Sequence, residues 1–216
     1  MTTITEPKPY ACWQACADAA AIVLLLVGLP YMGVSQYVAV VPVTSLQLFL
    51  LALGAWLAAD FASGFVHFLA DTYGSVDTPV LGKTFIYAFR EHHVDPLAIT
   101  RHSFLETNGA NSIISLPVLG LVAAGTEAES NPLLRLWVCF FLGAIFLTNQ
   151  IHKWAHMPKP PFLPRALQKL RLILTPEGHA LHHTPPHTEY FCITNGWLNL
   201  VLTKLRFFRL LRSIWG

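Results

Sequence analysis

The chain has 216 residues, of which 54% are hydrophobic and only 12% are charged, with a formal net charge of +2. A soluble domain carries about 25% charged residues, so the composition argues against a water-soluble globular protein and favours a membrane protein. No basic run indicates nucleic acid as a partner. The length suits a single domain covering residues 1–216.

The N-terminal residues do not resemble a signal peptide, because an acidic residue and two prolines surround Lys8. The four cysteines have the spacing of neither a disulfide framework nor a zinc knuckle. We therefore expect all four to be reduced: Cys12, Cys16, Cys139 and Cys192.

Four apolar stretches follow in chain order, and a spanning helix needs roughly 20 residues of this kind. They lie near residues 19–34, 44–66, 112–125 and 133–151. The third is short and contains Pro117, so it either spans or forms a re-entrant segment. The pattern predicts an all-α fold, a multi-pass membrane helical bundle of about four spanning helices.

The positive charges support this topology. If the N-terminus is inside and each stretch crosses, 13 of the 14 Lys and Arg residues fall on the inner side and Arg135 is the exception. The outer link 35–43 is uncharged, and the link 126–132 carries only Glu127 and Glu129. The positive-inside rule therefore predicts that the polar blocks 67–111 and 152–197 form a cytosolic cap. We expect the membrane to be a bacterial inner membrane or an endoplasmic reticulum.

The C-terminal residues 198–215 alternate apolar residues with lysine and arginine. This pattern is typical of a helix lying on an anionic lipid surface. An ordinary solvated helix is the alternative.

All ten histidines lie between His67 and His187, and therefore on one predicted side of the membrane. Most occur at helical spacings that place side chains on one face. The groups are His67 with Asp71, His152 with His156, and His179 with His182 and His183, while His92 and His93 are adjacent. Adjacent residues do not share a helix face, so His92 and His93 suit a bridge between two centres or a helix end.

Eight imidazoles and one carboxylate are too many for one ion, since a zinc site uses at most four ligands. Two ions fit, and imidazole suits iron, copper, nickel and zinc. A single histidine at a membrane edge is often only an interfacial polar residue, and Asp71 alone fits a helix cap. Four such groups at one face favour a metal centre, because ionisable clusters at membranes are costly without a role.

His102 and His187 have no partner at the same spacing. They are either further ligands or residues that orient ligands or substrate. We count both, with Asp71, as candidate catalytic residues.

At these histidines the sequence resembles the plasmanylethanolamine desaturase family of histidine-box membrane desaturases. The family is similar to a plant chloroplast desaturase that acts on palmitoyl-phosphatidylglycerol. The resemblance covers residues 60–199 and includes the linkers as well as the histidines. Gly178 stands where the family has another histidine, and Glu189 follows Thr188 where the reverse order is expected. The matching stretches are GFVHFLADTYGSVDTPVLGKTF, FREHHVDPLAITRHSFLETNG, TNQIHKWAH and HALHHTPPHTEYFCITNGWLN.

The resemblance implies an O2-dependent oxidoreductase that converts the 1-O-alkyl chain of a phospholipid into a vinyl ether, the plasmalogen bond. It implies two iron ions held by the eight histidines of the four groups, with Asp71 as a ligand or as an orienting partner. The external electron donor is then a carrier such as cytochrome b5 or a ferredoxin-type protein.

Candidate substrate contacts are Arg101, for the lipid phosphate, and Trp154, as a wall for the substrate or an interface anchor. Lys83, Arg90 and Lys153 are further phosphate candidates, although Lys83 fits a purely topological role. An apolar channel between the second and fourth spans would suit the alkyl chain.

Three rival functions stay open at this point. A desaturase or hydroxylase of another acyl chain would use the same di-iron centre. A metal transporter would need polar ligands along a path through the spans. A zinc-dependent membrane hydrolase would bind zinc in place of iron.

Overall fold

A computed structural model describes residues 10–38, 42–79, 82–125 and 131–215, and every regular element within these ranges is helical. The N-terminal nine residues with Lys8, and the link residues 39–41 and 126–130, lie outside the described residues. The helices are α1 Cys12–Val38, α2 Ser45–Thr72, a π-helical turn Gly82–Ile86, α3 Tyr87–Val94, α4 Ala98–Arg101, α5 Phe104–Gly125, α6 Pro132–His156, α7 Phe162–Lys169, α8 Pro176–His182, α9 Trp197–Lys204 and α10 Phe207–Trp215.

Four helices, α1, α2, α5 and α6, are long and apolar enough to cross a membrane. The predicted all-α, four-span architecture is confirmed. Helix α1 packs against α5 and α6, and α2 packs against α6. The core shared by α1, α5 and α6 includes Leu25, Leu119 and Leu142, whereas side chains such as Val27 and Leu121 are exposed on the outside. An apolar exterior of this kind suits lipid. The four cysteines are free thiols, as expected.

The expected start of the third span at Ser112 was wrong. Helix α5 is one continuous 22-residue helix that begins at Phe104 and contains Pro117. Ser103 and Glu106 form a capping box: Ser103 Oγ accepts from the Glu106 N–H at 3.2 Å, and Glu106 Oε2 accepts from the Ser103 N–H at 3.3 Å. The polar residues after it do not end the helix. Their side chains donate to carbonyl oxygens four residues earlier, at 2.8 Å for Thr107 and 2.9 Å for Asn108.

The tail also differs from the expected single helix over 198–215. It forms α9 and α10, separated at Arg206, whose φ of 52° lies in the left-handed region. The break lets Phe208 bury its ring against Phe68 and Phe191, with ring centroids 5.1 and 4.9 Å apart. Contact of this tail with a lipid surface stays a prediction.

One face of α2 holds residues 191–198, a non-helical stretch and the first two residues of α9, against the bundle. Asp60 is fully buried, and its carboxylate accepts from the backbone N–H groups of four residues at 2.8–3.2 Å: Thr194, Asn195, Gly196 and Leu198. One turn later, Ser63 Oγ accepts from the Ile193 N–H at 3.0 Å.

Gly64 continues the same face. A Cβ there would lie 2.5 Å from the Cys192 sulfur and 3.1 Å from its backbone nitrogen, so only glycine permits this approach. The next residue on the face is His67, whose ring meets the Phe191 carbonyl. The segment therefore runs antiparallel to α2, from His67 back to Asp60.

We expect Asp60→Ala to lower the free energy of unfolding by at least about 3 kcal/mol, because each largely buried N–H left without an acceptor costs about 1–3 kcal/mol. Ser63→Ala is the matched control: it removes one hydrogen bond on the same face and should cost about 1 kcal/mol. Denaturant unfolding in detergent, followed by tryptophan fluorescence, measures both. Equal losses of unfolding free energy in the two variants would contradict the assignment of Asp60 as the main acceptor for this segment.

Candidate metal centre

Four elements bring the predicted ligands to one end of the bundle. His67 and Asp71 lie at the C-terminal end of α2, and His152 and His156 at that of α6. These ends meet, since the ring centroids of His67 and His152 are 5.9 Å apart. Helices α3 and α8, with the residue that follows α8, add His92, His93, His179, His182 and His183.

The ligand atoms form two groups that share His92, with all ligand atoms of a group within 4.8 Å of one another. Group I contains His92, His152, His156, His179 and His183. Group II contains His67, His92, His93 and His182, and we include Asp71 in it because of the distances given below.

Group I has a geometry that hydrogen bonds alone do not satisfy. The Nε2 atoms of His152, His156 and His179 form a triangle with sides of 2.8, 2.9 and 3.1 Å, and His183 Nε2 lies 3.0 Å from that of His179. One ring nitrogen carries at most one hydrogen, so His179 cannot donate to all three neighbours. A metal ion with bonds of about 2.1 Å at right angles places two ligand nitrogens about 3.0 Å apart. The triangle therefore fits one ion.

In group II, Asp71 Oδ2 lies 2.9 Å from His93 Nε2 and 3.3 Å from the Nε2 atoms of both His67 and His182. The other nitrogens of two of these rings show which tautomer is present. His67 Nδ1 lies 3.1 Å from the Phe191 carbonyl oxygen, and His182 Nδ1 lies 2.8 Å from that of Glu189. Carbonyl oxygens only accept hydrogen bonds, so both Nδ1 atoms donate.

With Nδ1 committed to a carbonyl, Nε2 is the atom of His67 and of His182 that is left to ligate, and in the metal-binding form its lone pair points toward the oxygen of Asp71. Two lone pairs facing a carboxylate oxygen repel one another, and a cation between them turns that repulsion into ligation. The carbonyl contacts are also the usual means by which proteins orient ligating histidines. The donor set of group II thus fits a metal ion, with Asp71 as one of its ligands.

The histidine rings that lie outside the spanning helices are kept in the neutral form that binds metal. Burial, followed by the neighbouring imidazoles, lowers the pKa of His92 and His179 far below the usual value. The same causes lower the pKa of His183 to about 3. Neutral imidazole is the form that ligates metal, so these rings are available near neutral pH.

His92 is the residue within reach of both groups, as the adjacent pair suggested. Its Nε2 is buried and has no hydrogen-bond partner, while its Nδ1 lies 3.3 Å from the Ala88 carbonyl oxygen one turn earlier. His93 belongs to group II alone. One unpartnered lone pair at the junction can complete either ion's ligand set.

The structure places His102 and His187 outside both groups. His187 Nδ1 donates to the His182 carbonyl at 3.0 Å, and its ring centroid lies 4.7 Å from that of His93. It therefore braces ligands of group II. His102 lies farther away at the start of α5, with Nε2 3.9 Å from Glu106 Oε1.

The basic side chains that were candidates for binding the lipid phosphate donate hydrogen bonds to backbone carbonyls or pair with an acidic residue. Arg90 donates to the carbonyls that end α2, at 2.8 Å for Gly74 and 3.3 Å for Tyr73. Lys153 donates to the His102 carbonyl. Arg101 is exposed and pairs with Asp95 at 2.5 Å. The side chain of Lys83 lies outside the described residues.

Trp154 packs in a cluster with Ile151, Leu174 and Ile193, away from the cavity that reaches the ligands. That cavity is lined by residues of α3, α5 and α6, among others. The expected channel lay between the second and fourth spans, α2 and α6. The cavity does not lie there, because those two helices pack directly against each other. Trp154 as a substrate contact stays a prediction.

The two departures from the expected motif have structural explanations. The Gly178 N–H donates at 3.0 Å to Thr175 Oγ1, the N-cap of α8, and Gly178 lies in neither ligand group. Glu189 orients His182 through its backbone carbonyl, while its side chain pairs with Arg209 at 2.5 Å. Because a backbone carbonyl orients His182, this contact does not depend on the order of Thr188 and Glu189.

We expect His179→Ala to lower the metal bound per chain by about one ion, since it removes the atom that contacts three other ligand nitrogens. His102→Ala is the control at a histidine outside both groups and should keep the full content. Elemental analysis of purified, metal-reconstituted protein measures both. Equal metal content in the two variants would show that group I is not a metal site.

We expect Asp71→Asn to weaken metal binding at group II by at least about 10-fold, because the amide keeps the shape but loses the negative charge. The binding at group I should change far less. Titration with ferrous ion under anaerobic conditions, with separate analysis of the two binding steps, tests this. Two unaltered steps would exclude Asp71 as a ligand.

Comparison with known proteins places this centre in a family. A family model described as a lipid desaturase domain matches residues 56–215. The chain is 50% identical over 194 residues to the plasmanylethanolamine desaturase of Myxococcus xanthus, covering 87% of this chain and 63% of that protein. It is 48% identical over 165 residues to plasmanylethanolamine desaturase 1 of Mus musculus, covering 73% and 61%.

A more distant relative is the chloroplastic fatty acid desaturase 4 of Arabidopsis thaliana, 36% identical over 162 residues, with 74% of this chain and 49% of that protein covered. The chain spans about three fifths of the first two relatives' length. No solved structure gives a significant match. The domain match covers most of the chain, including every histidine of both groups, and the chain therefore belongs to the lipid desaturase family.

Proposed function

We propose that the chain is a membrane lipid desaturase that converts the 1-O-alkyl chain of a phospholipid such as plasmanylethanolamine into a vinyl ether, using O2. One observation carries the proposal: two groups of imidazoles share one buried pocket at the end of four apolar helices. The names of the relatives at 50% and 48% identity supply the substrate class.

We assign two iron ions to the centre, one to each group. Group I offers His152, His156, His179 and His183, group II offers His67, His93, His182 and Asp71, and His92 completes either set. Bound iron would supply the oxidising power to remove hydrogen from an unactivated alkyl chain, which amino-acid side chains alone do not have.

The chain's own residues contribute position, charge and exclusion of water. The carbonyls of Phe191 and Glu189 keep the lone pairs of His67 and His182 directed inward. The carboxylate of Asp71 would offset part of the positive charge of the bound ions, which neutral imidazoles do not compensate. His67, His92, His152, His179 and His182 are buried, so bulk water has little access to the pocket.

The balance of the reaction requires an electron donor. Reduction of O2 to two molecules of water takes four electrons, and removal of two hydrogens from the substrate supplies only two. We assign the other two to an external carrier such as cytochrome b5 or a ferredoxin-type protein. The excess of Lys and Arg on the side of the histidines supports a centre on the cytosolic side of a bacterial inner membrane or an endoplasmic reticulum.

The second candidate is desaturation of a phospholipid acyl chain, favoured by the 36% identity to a chloroplastic fatty acid desaturase. Hydroxylation at the same centre is a further alternative. A transport path through the bundle has less support, because the ligands of both groups gather at one end of the spanning helices.

We expect expression in cells that make alkyl but not vinyl ether lipids, with a donor present, to produce vinyl ethers, detected as aldehydes released by acid. His179→Ala should yield none, and His102→Ala tests whether the outlying histidine is needed. Mass spectrometry of intact lipids separates the rivals, since a hydroxylase adds an oxygen atom. Folded, iron-loaded protein that releases no aldehyde would contradict the proposal.

A further inference from the structure

The cavity that reaches the ligands lies directly beside the metal centre. It has a volume of about 100 Å³ and extends from the π-helical turn and α3 to α5 and α6. Phe85, Phe89 and Ile99 supply apolar walls, and the two ligands His92 and His152 line it as well. The cavity therefore offers an apolar molecule direct access to group I.

Two exposed alanines show where this cavity comes close to the protein surface. Ala110 lines it from α5 and is exposed at the outer surface of the bundle. Ala88 lines it from α3 and is also exposed. Because α5 is a candidate membrane span, an opening beside Ala110 faces the zone that the bilayer occupies and not only water.

Along α5, the residues that line the cavity change from polar to apolar in the direction that leads into the span. His102, Glu106 and Thr107 line the cavity near the start of α5, and Ala110 lines it one turn farther along the helix, while Glu91 of α3 and Asn149 of α6 add polar groups from the other walls. A phospholipid has the same order, with its polar head at the interface and its chains deeper. A lipid lying against α5 would match this order without leaving the bilayer.

We propose that this cavity is the substrate subsite, which receives the first few carbons of the ether-linked alkyl chain sideways from the bilayer. The inference rests on the proposed function. A cavity of about 150 Å³ holds one benzene ring, so a cavity of about 100 Å³ holds a short run of methylene groups and not a whole chain. A reaction next to the ether oxygen needs no more than that, whereas desaturation in mid-chain needs a longer tunnel.

The test uses iron-loaded protein in lipid nanodiscs and a 1-O-alkyl phosphoethanolamine lipid that carries a diazirine on the third carbon of the alkyl chain. Photolysis followed by peptide mass spectrometry maps the attachment sites. We expect adducts on Phe85, Phe89 or Ile99. Ala110→Trp should reduce them about 10-fold and raise KM for the lipid, without loss of bound iron.

Ala124→Trp is the matched control, because Ala124 is an exposed alanine on the same helix, about four turns away and outside the cavity. It should label like the parent protein. Ala88→Trp narrows the cavity from the α3 side and gives a second reading if Ala110→Trp lowers the iron content. Adducts elsewhere, such as between α2 and α6, or labelling unchanged by both cavity variants, would overturn the subsite.

The labelling requires no turnover, so the two proposals fail separately. Protein that labels in the cavity but makes no vinyl ether contradicts the proposed function. Protein that makes vinyl ether but labels elsewhere contradicts the subsite.

Discussion

Neutral imidazoles whose lone pairs face one another and a carboxylate need a cation between them, and this constraint organises the whole chain. Asp71 Oδ2 lies within 3.3 Å of three ring nitrogens, and two of these rings, His67 and His182, use Nδ1 to contact backbone carbonyls, which leaves Nε2 as their ligating atom. Burial keeps His92 and His179 neutral. The protein thus builds a site that is unfavourable when empty and favourable with metal, so that metal binding stabilises the folded helical bundle.

The spanning helices and the metal centre are linked through one face of α2. Asp60, Ser63 and Gly64 hold residues 191–198 by their backbone, and the carbonyls of Phe191, the first of them, and of Glu189, just before them, orient His67 and His182. Asp60, two turns before His67 on α2, therefore anchors the chain that carries these carbonyls without contacting the centre itself. Lone carboxylates in apolar spans are costly, and backbone N–H groups are an alternative to a metal ion or a cation as their partner.

The sequence predicted what depends on local pattern. Hydropathy located the four spans, and the i, i+4 spacing placed His67 with Asp71 and His152 with His156 on shared helix faces. It did not predict the early start of α5, because the polar side chains there bond to their own helix. The role of Asp60 and the break at Arg206 depend on contacts between distant parts of the chain, which no local pattern contains. The carboxylate inside the apolar run LAADFASGF was the one signal that could have flagged Asp60.

The central claim is that two ions occupy the two groups. The most direct measurement is X-ray absorption and Mössbauer spectroscopy of the purified chain, combined with elemental analysis. The account predicts two iron atoms per chain, each bound mainly by imidazole nitrogen. One zinc atom and no iron, or iron bound mainly by water and carboxylate, would contradict it.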